Sequence, residues 1–286
     1  MPGEPDPLYV AARSVLLDAL DALGPQRSAV ILVGAQAIYL HTGAIELPLA
    51  EYTSDADVTL DPRLLKESPE IESALTAAGF SRSRRVGAWV TTREVEGREV
   101  PIEVDLMVPE AVGGPGRRAA RLAGHADQVA RKARGLEAAL VDKQIMTLRA
   151  LGASDRRAFD VAVAGPAALL ISKLHKIRER LAERDQRRLD DKDALDVLRL
   201  LQAVPTMDLV QALRRLQGEE VASPVTHEAL AALKDLFSEA RHAGAQMAVR
   251  AAGPLAVPEH IAESCAFLTR DLLGALSGSW TSKRSP

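Results

Sequence analysis

The sequence is poor in cysteine, in aromatic side chains and in long apolar runs. Its 286 residues contain one cysteine, Cys265, and only 3% aromatic residues. A lone cysteine cannot form an intramolecular disulfide, which excludes a disulfide-stapled scaffold and fits a reducing compartment. The longest apolar runs, such as residues 30–40 (VILVGAQAIYL), are too short and too interrupted to span a bilayer, and the N-terminus lacks a basic segment followed by an apolar core. We therefore expect a cytoplasmic protein without a membrane segment.

Charge is unevenly distributed along the chain. The net charge at pH 7 is −3, but residues 1–81 carry 4 basic and 12 acidic side chains, whereas residues 82–157 carry 15 and 10. Three basic clusters lie in that middle segment: Arg82, Arg84 and Arg85; Arg117, Arg118 and Arg121; and Arg131, Lys132 and Arg134. Clusters of this kind can bind a polyanion, although a single one is more often just a solvated surface. The segment 82–157 is therefore a candidate nucleic-acid surface.

The apolar periodicity predicts an α+β chain with a mixed β-sheet in its N-terminal part and helices in its C-terminal part. Strands are expected over 28–33 and 54–60, in a hairpin turning at Glu96-Gly97, and in short pieces between 136 and 163. The expected helices cover about 8–23, 35–41, 62–78, 166–184, 190–203, 206–217, 225–250 and 258–276, and the helix over 62–78 has a candidate break around Ser68-Pro69. The division at Gly165-Pro166 predicts two domains, 1–164 and 165–286.

Two carboxylates lie two positions apart in a strand that is otherwise apolar. In residues 53–62 (TSDADVTLDP), side-chain alternation puts Asp55 and Asp57 on one face and the apolar residues on the other. Like charges this close repel unless a cation lies between them. A third acid, Asp105, follows on a later strand. Carboxylates on rigid strands suit Mg²⁺, with Mn²⁺ as an alternative ion, but an Asp-x-Asp strand is also common as a solvated face.

Gly34 lies where the first buried strand passes into a helix. A glycine there allows backbone N–H groups to approach a phosphate, and the helix N-terminus favours negative charge. A glycine after a buried strand is often only a turn. Combined with the acidic strands, however, it points to phosphoryl chemistry on a nucleotide.

These motifs resemble the polymerase-β-like nucleotidyltransferase superfamily, whose members have a glycine turn opening a helix, an Asp-x-Asp strand and a later acidic strand. The matching segments are VGAQA, SDADVTL and IEVDLMV. Residues 164–201 look like the helical part of AbiEii-like (MenT-like) toxin nucleotidyltransferases, in which a proline-initiated helix carries a functional lysine and the next helix opens with Lys-Asp-x-x-Asp. Lys173, Lys192, Asp193 and Asp196 occupy those positions. The resemblance covers roughly residues 28–202.

The resemblance implies a nucleotidyltransferase fold and transfer of a nucleotide from an NTP to an acceptor hydroxyl, which attacks the α-phosphorus and releases pyrophosphate. It implies that Asp55, Asp57 and Asp105 bind two Mg²⁺ ions, with Asp105 completing a metal site or activating the acceptor. Asp193 would orient Lys173 or act electrostatically. The implied nucleotide contacts are Gly34, Ala35, Ser54 and Lys173.

Two departures from the family pattern accompany the match. Ala35 stands where the family often has a serine, and the interval of 21 positions between Gly34 and Asp55 implies an inserted loop at 44–52.

The basic segment 82–157 favours an RNA acceptor, with tRNA as the expected one. The resemblance implies that the protein is the toxin of a toxin–antitoxin pair, with a cognate antitoxin as its protein partner. Two alternatives stay open: a catalytically inactive fold that serves as a binding module, and an enzyme with a small acceptor such as an aminoglycoside.

Overall fold

The computed structural model describes residues 5–43, 53–182 and 191–278. The helices in these ranges are α1 (Pro7–Ala22), α2 (Gly34–Thr42), α3 (Ile71–Ala77), α4 (Pro166–Ala182), α5 (Lys192–Ala203), α6 (Thr206–Gly218), α7 (Ser223–Phe237), α8 (Ala243–Ala252) and α9 (Pro258–Leu276). The strands are β1 (Val30–Val33), β2 (Asp55–Leu60), β3 (Ser81–Arg82), β4 (Ala88–Val95), β5 (Arg98–Pro109), β6 (Arg131–Ala133), β7 (Lys143–Arg149) and β8 (Ala158–Ala164). The expected loop at 44–52 and the end of the helix predicted to reach residue 184 lie outside the described residues.

The described strands form one mixed sheet, which confirms the expected α+β class. Its order is β3-β4-β5-β2-β1-β8-β7, and β6 pairs with the end of β5. Strand β2 is parallel to β5 but antiparallel to β1, so that the end of β1 meets the beginning of β2, with Val33 opposite Asp57. The glycine turn after β1 and the acidic positions of β2 and β5 are thereby brought to the same part of the sheet.

The apolar face of β2 is buried as the alternation predicts. Ala56, Val58 and Leu60 are at most 1% exposed, and α1 packs across β2, β4 and β5. Every residue of β1 is buried as well, which explains its uninterrupted apolar sequence. Asp55 and Asp57 are therefore the charged positions in an otherwise mostly apolar pair of strands.

The hairpin is confirmed at its predicted turn. Strands β4 and β5 pair antiparallel from Val95 opposite Arg98 onward, and Glu96 and Gly97 both have positive φ, 51° and 76°. Two positive φ values match the turn type whose twist suits a two-residue hairpin.

The helix predicted over 62–78 is wrong in its first half, since α3 begins only at Ile71. The preceding segment is held by the buried side chain of Gln26, whose Nε2 donates to the carbonyls of Lys66 (2.8 Å) and Pro69 (2.9 Å) and whose Oε1 accepts from the Lys66 N–H. These long-range bonds satisfy backbone groups that a helix would otherwise pair locally.

The single helix predicted over 225–250 is also wrong, because α7 ends at Phe237 and α8 begins only at Ala243. Gly244 packs against the ring of buried Phe237, and a Cβ at that glycine would lie 2.6 Å from two ring atoms. The close approach of the two helix ends requires glycine there and breaks the helical run.

Helix α4 starts at a side-chain cap from outside the helix. The carboxylate of Asp142 accepts the Ala168 N–H at 3.0 Å and lies against Gly165, where a Cβ would be 2.4 Å away. Helices α4 and α5 then pack against α2, the helix of the glycine turn. Because buried apolar residues from both halves of the chain form one cluster, the helices are fixed relative to the sheet. The division into two domains at residue 165 stays a prediction.

Among the helices described, none is both long and apolar enough to cross a membrane.

Candidate active site

Four carboxylates are aligned on the neighbouring strands β2 and β5. The parallel register places Asp55 opposite Glu103 and Asp57 opposite Asp105. Residues paired in register project from the same face of a sheet. The accessibility of the acids differs, since Asp55 is exposed whereas Asp105 is buried. We call these four residues the acidic strip.

Gly34 lies directly against the strip. Its φ of +69° is a conformation that favours glycine, and a Cβ there would lie 2.2 Å from Asp57 Oδ2. The residue therefore has to be glycine for two independent reasons, its backbone conformation and the position of Asp57. The N-terminal turn of α2, with Ala35 at its second position, thus begins beside a carboxylate of the acidic strip.

Two buried side chains, Arg13 and Gln36, form a hydrogen-bonded chain that ends at the backbone carbonyl of Asp55. Gln36 donates to the Asp55 carbonyl (3.1 Å) and accepts from Arg13 Nε (2.7 Å), and both side chains are almost fully buried. On the other side Thr53 Oγ1 donates to Asp55 Oδ1 at 2.6 Å. Ser54, an expected nucleotide contact, is exposed between them.

The electrostatic environment of Asp57 is that of a carboxylate among like charges. Burial is the largest cause that raises the pKa of Asp57 to about 6, and the charges of Asp55 and Asp105 act in the same direction, while Lys176 and Lys173 act to lower it. A site that disfavours its own ionised carboxylate is one that a cation would stabilise.

The third expected ligand, Asp105, is flanked by arginines. Arg85 lies 3.4 Å from its Oδ1 and Arg131 lies 3.4 Å from its Oδ2. Arg85 also pairs with Glu103. These guanidinium groups partly neutralise the strip from the β4–β6 side.

The fit of the site to a divalent metal follows from its donor chemistry. As the side chains stand, no three acidic, histidine or cysteine residues in the described part of the chain converge closely enough to hold a metal ion. The register nevertheless gives Asp55, Asp57 and Asp105 neighbouring positions, and the carboxylate oxygens they offer are the ligands that Mg²⁺ and Mn²⁺ take. The chemistry of these donor atoms therefore suits such an ion, although the side chains do not converge on one point.

Lys173 and Asp193 meet in an ion cluster between α4 and α5. Lys173 Nζ lies 2.7 Å from Asp193 Oδ1 and 2.7 Å from Asp196 Oδ2. Asp193 is also contacted by Lys176 (3.4 Å) and Arg180 (2.6 Å). We call these five residues the α4–α5 ion cluster.

In this cluster each charged group shifts the pKa of its ion-pair partner. Burial acts to lower the pKa of Lys173, but the carboxylates of Asp193 and Asp196 outweigh it and hold that pKa well above its usual value. Burial likewise acts to raise the pKa of Asp193, and Lys173, Lys176 and Arg180 hold it well below its usual value. Lys173 and Asp193 are therefore both charged at neutral pH. The lysines of the cluster also influence the pKa of Asp57, which places them within electrostatic reach of the strip.

Comparison with known proteins assigns the chain to a protein family. A family model described as "Nucleotidyltransferase" matches residues 12–222, most of the chain. The chain belongs to this nucleotidyltransferase family. The match includes the glycine turn, the acidic strip and the α4–α5 ion cluster, so that every expected site residue of this nucleotidyltransferase falls inside the family region.

Two further comparisons add little to the assignment. A solved structure described as "putative nucleotidyltransferase from H. pylori" aligns with 95% of this chain and 97% of its own, at 9% identity and a TM-score of 0.35, which is too weak to carry residue correspondences. No curated protein matches the nucleotidyltransferase chain.

The structure brings together most of what the sequence predicts for this nucleotidyltransferase and adds residues that were missed. Gly34 and the strands that carry Asp55, Asp57 and Asp105 lie side by side, but these acids do not converge on one point, and Lys173 and Asp193 lie on helices that contact α2. The missed residues are Glu103, Lys176 and Arg180, whereas Arg85 and Arg131 were expected in a polyanion surface but not in contact with Asp105.

The sequence held a signal for some of the missed residues. Glu103 shares the two-residue phase of Asp105, and Lys176 and Arg180 follow Lys173 at helical spacing. Arg85 lies in the short connection before β4, where no periodicity predicts the direction of a side chain.

Proposed function

We propose that this nucleotidyltransferase is a Mg²⁺-dependent enzyme that transfers a nucleotide from an NTP to tRNA, as an AbiEii-like toxin. The observation that carries the proposal is the alignment of Asp57 and Asp105 on adjacent strands with Gly34 packed against Asp57. Backbone N–H groups at a helix N-terminus suit phosphate and neighbouring carboxylates suit a cation, and this arrangement supports the proposal for that reason.

The reaction assigns a part to each element of the site. The acceptor hydroxyl oxygen forms a bond to the α-phosphorus, the bond from that phosphorus to the bridging oxygen breaks, and pyrophosphate leaves. Asp105 accepts the hydroxyl proton, and the N–H groups at the start of α2 hold phosphate oxygens. Asp55, Asp57 and Asp105 would hold Mg²⁺, which supplies positive charge to the transferring phosphoryl group. Thr53 and Gln36 keep Asp55 in place.

The assignment of RNA as the acceptor rests on the cations beyond Asp105. Arg84, Arg117 and Arg118 are exposed, and none of them forms an ion pair with another described residue. The backbone carbonyl of Arg118 accepts from the Lys132 N–H on β6 (2.7 Å), next to Arg131, which contacts Asp105. Exposed cations that continue outward from the reaction centre suit a polyanionic acceptor. The toxin role and the antitoxin partner rest on the resemblance of residues 164–201.

The test is transfer of label to RNA. The purified chain is incubated with total tRNA, Mg²⁺ and each α-labelled NTP in turn, beside Asp57→Asn and the matched control Asp208→Asn, an exposed acid on α6. We expect label on tRNA with one NTP, reduced at least about 100-fold in Asp57→Asn and unchanged in the control, because only Asp57 belongs to the strip.

The outcomes separate the parts of the proposal. Label on a small molecule but never on tRNA would contradict the acceptor, and label that survives chelation of divalent ions would contradict the metal dependence. Absence of transfer with every NTP and acceptor would overturn the enzymatic proposal and leave a binding module.

A further inference from the structure

Three cations on α4 face the same buried carboxylate. Lys173, Lys176 and Arg180 follow one another at spacings of three and four residues, which places them on one side of a helix. All three contact Asp193 near the start of α5, at 2.7, 3.4 and 2.6 Å. The resemblance to the family drew attention only to the first of them.

The accessibility of the three side chains separates their roles. Lys173 is 6% exposed, and its ammonium already lies 2.7 Å from each of two carboxylates. Lys176 is 37% exposed, and its contact with Asp193 is the longest of the three. Arg180 is 22% exposed with a short contact. Withdrawing Lys173 would take a cation away from two buried carboxylates, which is costly, because an uncompensated buried charge is destabilising.

Lys176, by contrast, can leave Asp193 without leaving that carboxylate unpaired. Lys173 and Arg180 would remain at 2.7 and 2.6 Å from its two oxygens. A lysine stem carries its ammonium over several ångströms while the stem stays packed. The stem of Lys176 can therefore stay packed on α4 while its ammonium group moves.

The ammonium group of Lys176 belongs to the α2 side of the acidic strip. Helices α4 and α5 both pack against α2, which begins at Gly34, and Gly34 packs against Asp57. Among the cations that act on the pKa of Asp57, Lys176 has a larger effect than Lys173. The arginines Arg85 and Arg131 occupy the opposite flank, at Asp105.

We propose that Lys176 contacts the phosphates of the donor nucleotide, and that Lys173, Asp193 and Asp196 form the buried frame that positions it. The inference rests on the proposed function and deepens it, since it assigns the donor triphosphate to the α4 side and the acceptor to the Arg85–Arg131 side. In this arrangement Lys173 supplies long-range positive charge, whereas the hydrogen bond to phosphate comes from Lys176.

The test measures binding, so that it does not depend on transfer. Calorimetric titration of the full chain with each NTP and Mg²⁺ is compared with titration by the corresponding nucleoside and by inorganic tripolyphosphate. The variants are Lys176→Gln and Lys176→Arg. The control on the same helix is Arg178→Gln, which removes a guanidinium group that donates to the backbone carbonyl of Glu228 on α7.

We expect Lys176→Gln to weaken NTP and tripolyphosphate binding about tenfold, in keeping with the removal of one charge-assisted hydrogen bond, and to leave nucleoside binding unchanged. Lys176→Arg should stay within about threefold of the parent, because the charge is retained. Arg178→Gln should bind like the parent.

Equal NTP affinity for the parent and Lys176→Gln would overturn the inference, and so would a matching loss in Arg178→Gln, which would indicate a general charge effect. An equal loss for nucleoside and NTP would also overturn it, since it would indicate a structural role. If the parent binds NTP but transfers nothing, the proposed function fails while this inference stands; if it binds no NTP, both fail.

Discussion

At the scale of single residues, Gly34 connects the turn that opens α2 to the acidic strip. Its Cα lies so close to Asp57 that a methyl group would displace the carboxylate. Its positive φ adds a second requirement for glycine. The position of the Asp57 carboxylate and the shape of the turn are thus determined by the same residue.

We expect Gly34→Ala to cost at least about 2 kcal/mol of unfolding free energy, from the combined effects of a left-handed backbone and overpacking. The folded fraction should also lose nucleotide transfer, because Asp57 is displaced. The measurement is urea unfolding with a transfer assay. Gly79→Ala is the control, since Gly79 has a φ of +85° but no atom within 4 Å of its Cβ position, and about 1 kcal/mol is expected there. Similar costs at both positions would show that the contact with Asp57 is unimportant.

At the scale of elements, α4 connects the candidate site to several distant parts of the chain. It begins at the Asp142 cap, contributes its cations to α5, and contacts α7 through His175, whose Nε2 lies 2.8 Å from the Val225 carbonyl. The imidazole also packs against Gly135, where a Cβ would lie 2.8 Å from its ring. A buried imidazole in such close packing should resist protonation.

The resulting prediction concerns the pH dependence of stability. Burial is the main cause that lowers the pKa of His175, and Arg134 adds to it, although the Val225 carbonyl, Glu228 and Glu137 act against it. A depressed histidine pKa means that the unfolded chain binds the proton more readily than the folded one. The His175 contribution should therefore be complete above about pH 6.5 and be lost as pH falls below it.

The measurement compares the unfolding free energy of the parent and His175→Gln between pH 8 and pH 5. The difference between the two proteins should be constant at high pH and should shrink, or change sign, as pH falls below about 6.5. A difference that does not vary with pH would show that His175 titrates alike in the folded and unfolded chain.

At the scale of the whole molecule, the acidic strip lies between two groups of cationic side chains. The flank on α4 comes from the helical part of the chain, and the flank at Arg85 and Arg131 comes from the segment between β3 and β6. Neither the net charge of −3 nor the linear sequence indicates this arrangement. A chain of net negative charge with this arrangement still presents cationic surface.

We expect the double variant Arg117→Gln/Arg118→Gln to weaken tRNA binding and to reduce the slope of log K against log salt by about one for each phosphate that an arginine no longer neutralises. The measurement is a binding titration at several salt concentrations. The control is Arg178→Gln/Arg241→Gln, which removes the same charge from exposed sites on the helical part. If both double variants show the same slope, the region around Arg117 and Arg118 is not the RNA surface.

The sequence by itself determined the features that depend on neighbours along the chain. Alternation in β2 and β5 identified Asp55, Asp57 and Asp105 on one face, and the Glu96-Gly97 pair identified the hairpin, because side-chain direction in a strand and turn conformation are local properties. Gly34 was recognisable for the same reason.

Only the tertiary structure decided the features that depend on distant partners. Gln26 keeps residues 62–70 out of a helix, and the contact between Gly244 and Phe237 divides another. Lys173, expected as a nucleotide contact, is buried between two carboxylates of α5, whereas Lys176 on the same helix is 37% exposed. The physical reason is common to all of these: the cost of burying a polar group, and the partner that compensates it, depend on contacts between segments that sequence periodicity does not encode.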